Sequence, residues 1–470
     1  MKSDDIIQSM NYIDENLVSN AEKLRSQKPK KRSKMWVRIA AAAACVSLVI
    51  TGIALIPGNK PTAYAIAEAS YPKQAEFPSN IEDQDKYNVY SEAEHTKRQL
   101  AAKHIGEGMD FYKKTAAEIM GSGSENKVYS PLNAYFALSI LAETASGESR
   151  DQILKLLGAD SLEALRKSAN DLWQAEYKDD LTGKCLLANS LWLNDSMNFN
   201  KSTLESVAKN YYASSYSGNM SDSGFNKQRQ TWVNDQTDGI LKEAVENLKF
   251  SPETVMSLIS TINFRARWQD EFDEANTYKE VFHSVGGDTK CDFMHRENDL
   301  TVYYWGKNFS SVPLHLTENG TMWLILPDKG TAPEELVSNE DVMNMISSSD
   351  YKNFSSSMVD MSIPKFDISS DIDLGEKLQK LGVTDIFDFN KADFSSLTGE
   401  KGDVALSSAE HAARVMIDEK GVTAAAFTNL DYAGASMPEG KVDFKLDRPF
   451  MFIITGKGSM PLFVGIVNAV

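Results

Sequence analysis

From about Lys97 to the C-terminus the chain moves between helical and strand periodicity without a break. Leu100, Ile105, Met109, Tyr112 and Ile119 fall on one helical face. Ser130-Pro131-Leu132 opens a second helix, with a hydroxyl to cap it and a proline in its first turn, and Leu138, Leu141 and Ala142 follow on it. Leu154 to Leu157, Leu162 to Trp173, Phe199 to Tyr212 and Trp232 to Ile240 read as further helices, the last ending near Gly239. Leu186 to Leu193, Val255 to Phe264 and Met322 to Leu326 are short apolar runs of the kind buried strands show, and Val359 to Phe366 alternates. The final third is rich in strands, notably Phe444 to Ile454 and Leu462 to Val467. Helices early and strands late, without regular βα alternation, predict an α+β fold with large mixed or antiparallel sheets. Residues 97–470 contain no linker, repeat or low-complexity tract and read as one domain.

The N-terminal part follows another pattern. Lys28 to Lys34 carries five positive charges in seven residues. Ile39 to Ile56 is then uncharged and ends at Pro57-Gly58. As a helix that run spans roughly 27 Å, close to the hydrocarbon thickness of a bilayer. The basic flank places residues 1–38 in the cytoplasm as a basic tail and exports everything after the span. A retained signal anchor is the favoured reading. Cleavage at Ala63-Tyr64-Ala65-Ile66-Ala67, which offers the A-x-A pattern, is the other, and it would release a secreted protein. Residues 57–96 are polar and irregular, with Pro61, Pro72 and Pro78, and read as an extracytoplasmic linker.

Composition narrows the chemistry. The 470 residues are 42% apolar and 24% charged, with a formal net charge of -17, so nucleic acid is not an expected partner. Three widely spaced cysteines, Cys45, Cys185 and Cys291, suit neither a disulfide framework nor a zinc site. The six histidines are scattered, and no G-x-S-x-G, H-E-x-x-H or phosphate-binding loop is present. The expectation is a protein that is not an enzyme, holds no metal or cofactor, and is a monomer.

One stretch near the C-terminus fits neither a core strand nor an ordinary loop. Glu419 to Ser436 starts at a glycine hinge and continues through small residues to just before Pro438. Small residues bury too little for a core strand, and the run from Val422 to Thr428 holds none of the Gly, Pro, Asn and Asp that loops favour. They suit a segment that is exposed at one time and packed between two strands at another.

Six segments, in order, resemble the serpin superfamily of serine-protease inhibitors. They are Asn126 to Leu154, NSLWLN at Asn189 to Asn194, WVNDQTDGIL at Trp232 to Leu241, Ser260 to Thr277, Ile363 to Phe387, and FKLDRPFMFII at Phe444 to Ile454. The resemblance covers residues 97–470. It implies the serpin fold, with helices around a large central mixed sheet, further antiparallel sheets and an exposed reactive-centre loop. Glu419, Lys420 and Gly421 then match the proximal hinge, and Val422, Ala424, Ala426 and Thr428 the leading part of an inserting strand. Counting along the loop from both ends gives Ala435-Ser436 as the reactive bond, flanked by Tyr432, Ala433, Gly434 and Met437. Ser130, Asn189 and His411 match the region where the sheet opens, and Trp268 the tryptophan at its top. Ser260 and Ala266 depart from the family, which has Asn and Gly at these positions. Phe427 is bulkier than usual but falls on the outward register.

The resemblance implies a suicide substrate. A serine protease attacks Ala435, and the freed loop joins the central sheet and carries the acyl-enzyme with it. Alternate residues from Val422 form an uncharged inward set, as insertion requires, because an unpaired buried charge costs several kcal/mol. Asp431, on the outward set, is the one charge between Gly421 and the bond. The methyl side chain of Ala435 suits a protease with a shallow primary pocket, elastase-like first and subtilisin-like second. The alternative is a non-inhibitory serpin that acts as a binding or sensor module tethered to the membrane.

Overall fold

The structure, a computed structural model, describes residues 64–470 apart from 76, 78–82, 122, 181–182, 243–248, 318–319, 349, 403, 407–408 and 423–440. The apolar run at 39–56, the basic tail and the loop from Thr423 to Gly440 lie outside the described residues. None of the described helices is long and apolar enough to cross a membrane.

In chain order the first half runs β1 (Ala65–Ala67), α1 (Gln84–Met120), β2 (Lys127–Tyr129), α2 (Pro131–Thr144), α3 (Gly147–Leu157), α4 (Leu162–Glu176), β3 (Lys178–Asp179), β4 (Gly183–Asn194), α5 (Lys201–Tyr211), β5 (Ala213–Gly218), α6 (Ser223–Gln236) and β6 (Met256–Arg267). The second half runs β7 (Thr277–Ser284), β8 (Gly287–Gly306), β9 (Phe309–His315), β10 (Thr321–Pro327), α7 (Glu340–Ser347), β11 (Phe354–Pro364), β12 (Phe366–Asp373), α8 (Gly375–Lys380), α9 (Ser395–Thr398), β13 (Glu410–Asp418), β14 (Gly421–Val422), β15 (Lys441–Lys445), β16 (Phe450–Thr455) and β17 (Pro461–Val467). Side-chain caps set several helix starts: Ser130 accepts the Asn133 amide, Ser161 that of Ala164, and Asp222 those of Gly224 and Phe225. Helix α2 is buried on nearly every side, which suits its almost uniformly apolar sequence.

Two sheets organise the chain. One large sheet has the order β1-β5-β4-β6-β14-β13-β12, with β3 beside β4, and a second runs β15-β11-β8-β9-β10-β16-β17-β2, with β7 beside β8. Pairing is antiparallel except at β4 with β5 and β11 with β15. Strands β11 and β12 are one chain direction broken at Lys365, so a single segment passes from one sheet to the other. The run expected as one strand from Phe444 to Ile454 is two, β15 and β16, interrupted before Pro449, which has no N–H to give a ladder. On one face of the large sheet, Asn133 of α2 bonds Ser260 and the Phe264 ring meets Phe463 of the second sheet. On the opposite face, Trp192 of β4 packs against Phe225 and Trp232 of α6.

The linker expectation fails from Tyr64 onward. Strand β1 adds to the edge of the large sheet, pairing Ala65 with Tyr216 and Ala67 with Ser215. The Tyr71 ring packs against Trp173, Tyr177 and Tyr212. Gln74 donates to the Tyr177 carbonyl and accepts the Asp179 amide. Helix α1 then begins at Gln84, well before the apolar face that signals it in the sequence. A three-residue edge strand, scattered aromatics and a glutamine hold this segment, and none of them leaves a periodic signal.

Candidate functional site

Strand β14 is two residues long, yet it lies between the two halves of the large sheet. Gly421 and Val422 pair with Arg267 and Ala266 on β6, and with Asp418 and Ile417 on β13. Among the described residues no ladder joins β6 directly to β13. Below Val422, among the described residues, β6 and β13 flank a slot with no strand laddered between them. Ile262 and Phe264 of β6, which share the face of Ser260, are half-buried beside this slot.

The chain is held firmly where it enters. Asp418 Oδ1 accepts the Lys420 amide at 2.8 Å and the Gly421 amide at 3.2 Å, closing the turn. Glu419 takes a charge-assisted bond from Lys365 Nζ at 2.8 Å and one from the Thr277 hydroxyl at 2.8 Å. Burial would raise its carboxyl, but the Lys365 and Thr277 bonds outweigh that and hold it below the usual carboxylate range. The Trp268 indole N–H donates to the Asp418 carbonyl at 2.8 Å, and its amide to the Lys420 carbonyl at 3.0 Å. Gly421 has φ of +155°, and a side chain there would overlap the Ala266 carbonyl oxygen, so glycine is required.

The second group of expected residues meets lower in the sheet. His411 Nε2 accepts the Ser130 amide at 3.0 Å, the Ser130 hydroxyl caps α2, and the Tyr129 ring stands edge-on to the imidazole. Burial pushes the His411 pKa down to about 4, so the ring is neutral at pH 7 with its proton on Nδ1. The Ser260 hydroxyl lies within hydrogen-bond reach of both Asn133 and Asn189, and Asn133 Nδ2 donates to the Ser260 carbonyl at 3.1 Å. Ser260 thus links α2, β6 and β4 through its hydroxyl, in the position where the family has the longer Asn.

Of the expected residues, the structure joins Glu419, Lys420, Gly421, Val422 and Trp268 at the slot's mouth, and Ser130, Asn189 and His411 along its floor. Ala424, Ala426, Thr428, Tyr432, Ala433, Gly434, Ala435, Ser436 and Met437 lie outside the described residues. Lys365, Thr277 and Asn133 were not picked out from the sequence. Each sits in a segment that carried the resemblance, but periodicity does not reveal which of them converge. Cys185 and Cys291 are both free thiols.

Residues 107–470 match the family Serpin, serine protease inhibitor. Alpha-1-antiproteinase 2 of Equus caballus is 30% identical over 391 residues, 81% of this chain and 89% of the relative. Serpin B11 of Mus musculus is 27% identical over 76% of this chain and 96% of its own length. Among solved structures, the thermophilic serpin tengpin in its native state is 30% identical, with a TM-score of 0.69 over 78% of this chain and 94% of its own. The same serpin in its latent state gives 27% identity and a TM-score of 0.65 over 78% of this chain and 98% of its own. The family match, the relatives and the slotted sheet agree: this chain belongs to the serpin family.

Proposed function

We propose that the protein inhibits serine proteases as a suicide substrate, trapping the acyl-enzyme when the cut loop enters the large sheet. The observation that carries this reading is β14, a two-residue strand already seated between β6 and β13, beyond which no described strand joins the two. Continuing its register places Ala424 between Phe264 and Val415, Ala426 between Ile262 and Ala413, and Thr428 between Ser260 and His411. These inward neighbours are apolar or neutral, so each step completes a ladder without burying a charge. Each new bond nets about 1 kcal/mol, and a dozen of them with their side chains make insertion irreversible in practice. Ala435-Ser436 is the bond proposed to be cut, which selects an elastase-like target first and a subtilisin-like one second.

The outward register is less forgiving than the sequence suggests. Phe427 would lie beside Thr261, which is 2% exposed and so already covered. Its ring has to find room on the α6 side as the strand enters.

The apolar run at 39–56 and its basic flank support an exported protein held at a membrane. Fractionation of cells expressing the full chain tests this, since recovery of a shortened protein in the medium would point to cleavage.

Incubation with an elastase, followed by a denaturing gel, tests the inhibitor reading. A denaturation-resistant complex is expected, and Ala424→Glu should be cut without trapping. Cleaved protein and free protease alone from the wild type would instead support the non-inhibitory reading.

A further inference from the structure

Glu176 ends α4 where that helix, the large sheet and the turn between β16 and β17 meet, behind the mouth of the slot. It lines a cavity of about 30 Å³ with Cys185 of β4, with Phe264, Arg265 and Ala266 of β6, and with Lys457 of the turn. Ala266 pairs with Gly183 on one side and Val422 on the other, and Phe264 is the next β6 residue on the same face. The cavity therefore backs the first two rungs at which a strand would enter.

The carboxyl is buried without a charge of its own to face. Its Oε2 accepts the Lys457 amide at 3.2 Å, and its Oε1 has no hydrogen-bond partner among the described residues. The cations around it serve other carboxylates. Lys457 and Lys97 bracket Glu94 of α1 at 3.3 and 3.4 Å. Lys178 of β3 pairs with Asp180 at 3.1 Å, while Lys184 and Arg265 pair with Asp238 at 3.0 and 2.7 Å. A side chain at Gly456 would overlap Oε2, so the turn closes tightly on the carboxyl. Burial pushes the Glu176 pKa up to about 7 against the pull of Lys457 and Lys97, and Glu94 adds to the rise. Once ionised, the group gains from any movement that brings it water, and the cavity is large enough to take one.

We propose that Glu176 is a proton switch on the mouth of the slot. Protonated, it keeps β6 seated against the second sheet. Ionised, it favours their parting at this point, because the opened cavity hydrates the carboxylate, and a strand then enters faster. Glu176 is a positioning residue that touches no protease and no reacting atom. Its effect on strand entry rests on the insertion reading, whereas its effect on β6 does not.

Two measurements on the full chain test this. The first is the rate at which intact protein converts to a loop-inserted form on warming, followed on native gels at pH 6 and pH 8. If the carboxyl returns from about 7 to its ordinary 4.5 as the mouth opens, conversion is up to about tenfold faster at pH 8. Glu176→Gln removes the titration and should convert equally fast at both pH values. His104 bonds Asp171 of α4 at 3.1 Å, and histidine is the side-chain type that changes charge in this range, so His104→Gln is the control and should keep the wild-type ratio. The second measurement is hydrogen exchange of the β6 amides from Phe264 to Arg267, corrected for the intrinsic effect of pH. Protection should fall between pH 6 and pH 8 in the wild type and stay level in Glu176→Gln. Level protection in the wild type, or the wild-type pH response of either measurement retained in Glu176→Gln, would overturn the switch. If protection follows Glu176 but cut wild-type protein melts no higher than intact protein, the switch stands and the insertion reading has failed.

Discussion

Two buried ionisable residues set opposite pH responses. Glu176 ends α4 at 2% exposure, accepts the Lys457 amide at 3.2 Å, and faces a cavity of about 30 Å³ that Lys178, Cys185, Phe264 and Lys457 also line. Burial pushes its pKa up to about 7 against the pull of Lys457 and Lys97. A raised folded-state value means that the unfolded chain releases the proton first. Glu176 therefore costs stability progressively as pH rises from about 4.5 to 7. His411 has a folded-state pKa of about 4, below its unfolded value, so it costs stability as pH falls from about 6.5 to 4. Each effect is on the order of 3 kcal/mol at its limit. Because the windows overlap, the wild-type melting curve alone does not separate them. Glu176→Gln should melt higher than wild type at pH 8 and match it near pH 4.5. His411→Gln should lose the acid-side decline below pH 6.5. Parallel profiles for all three proteins would contradict both assignments.

At the scale of elements, the edge that β1 adds matters more than its three residues suggest. Tyr71 fills a cage of Trp173, Tyr177 and Tyr212, so it fastens the segment before α1 to the end of α4 and to the start of β5. Tyr71→Ala should lower native stability by roughly 2–4 kcal/mol, as lost aromatic contacts in a packed site do. Chemical denaturation checks it, and a change within 0.5 kcal/mol would mean the ring is not part of the packed domain. The sequence revealed elements that carry an apolar face or an apolar run: α2, α4, β4, β6, β10 and β17. It did not reveal β1, the first turns of α1, or β14. Tyr87 and Val89 lie in those first turns and are exposed, and a strand of two or three residues has no period to read. The site was similarly divided. Glu419, Gly421, Trp268 and His411 came from the resemblance, whereas Lys365 on Glu419 and the Ser260 hydroxyl between two amides exist only as convergences in space.

Across the whole molecule, these details serve one arrangement. The large sheet is divided between β6 and β13 and pinned at its mouth by Trp268 and Glu419. On the proposed insertion, the ladder positions of β6 and β13 that pair with no described strand, and half-buried Ile262 and Phe264, would gain partners as a strand enters, which is the free energy the trap would draw on. The most direct measurement of this claim is the melting temperature before and after the segment 423–440 is cut by a protease. The account predicts that the cut protein melts well above the intact one, by tens of degrees. A cut protein that melts at or below the intact temperature would contradict it.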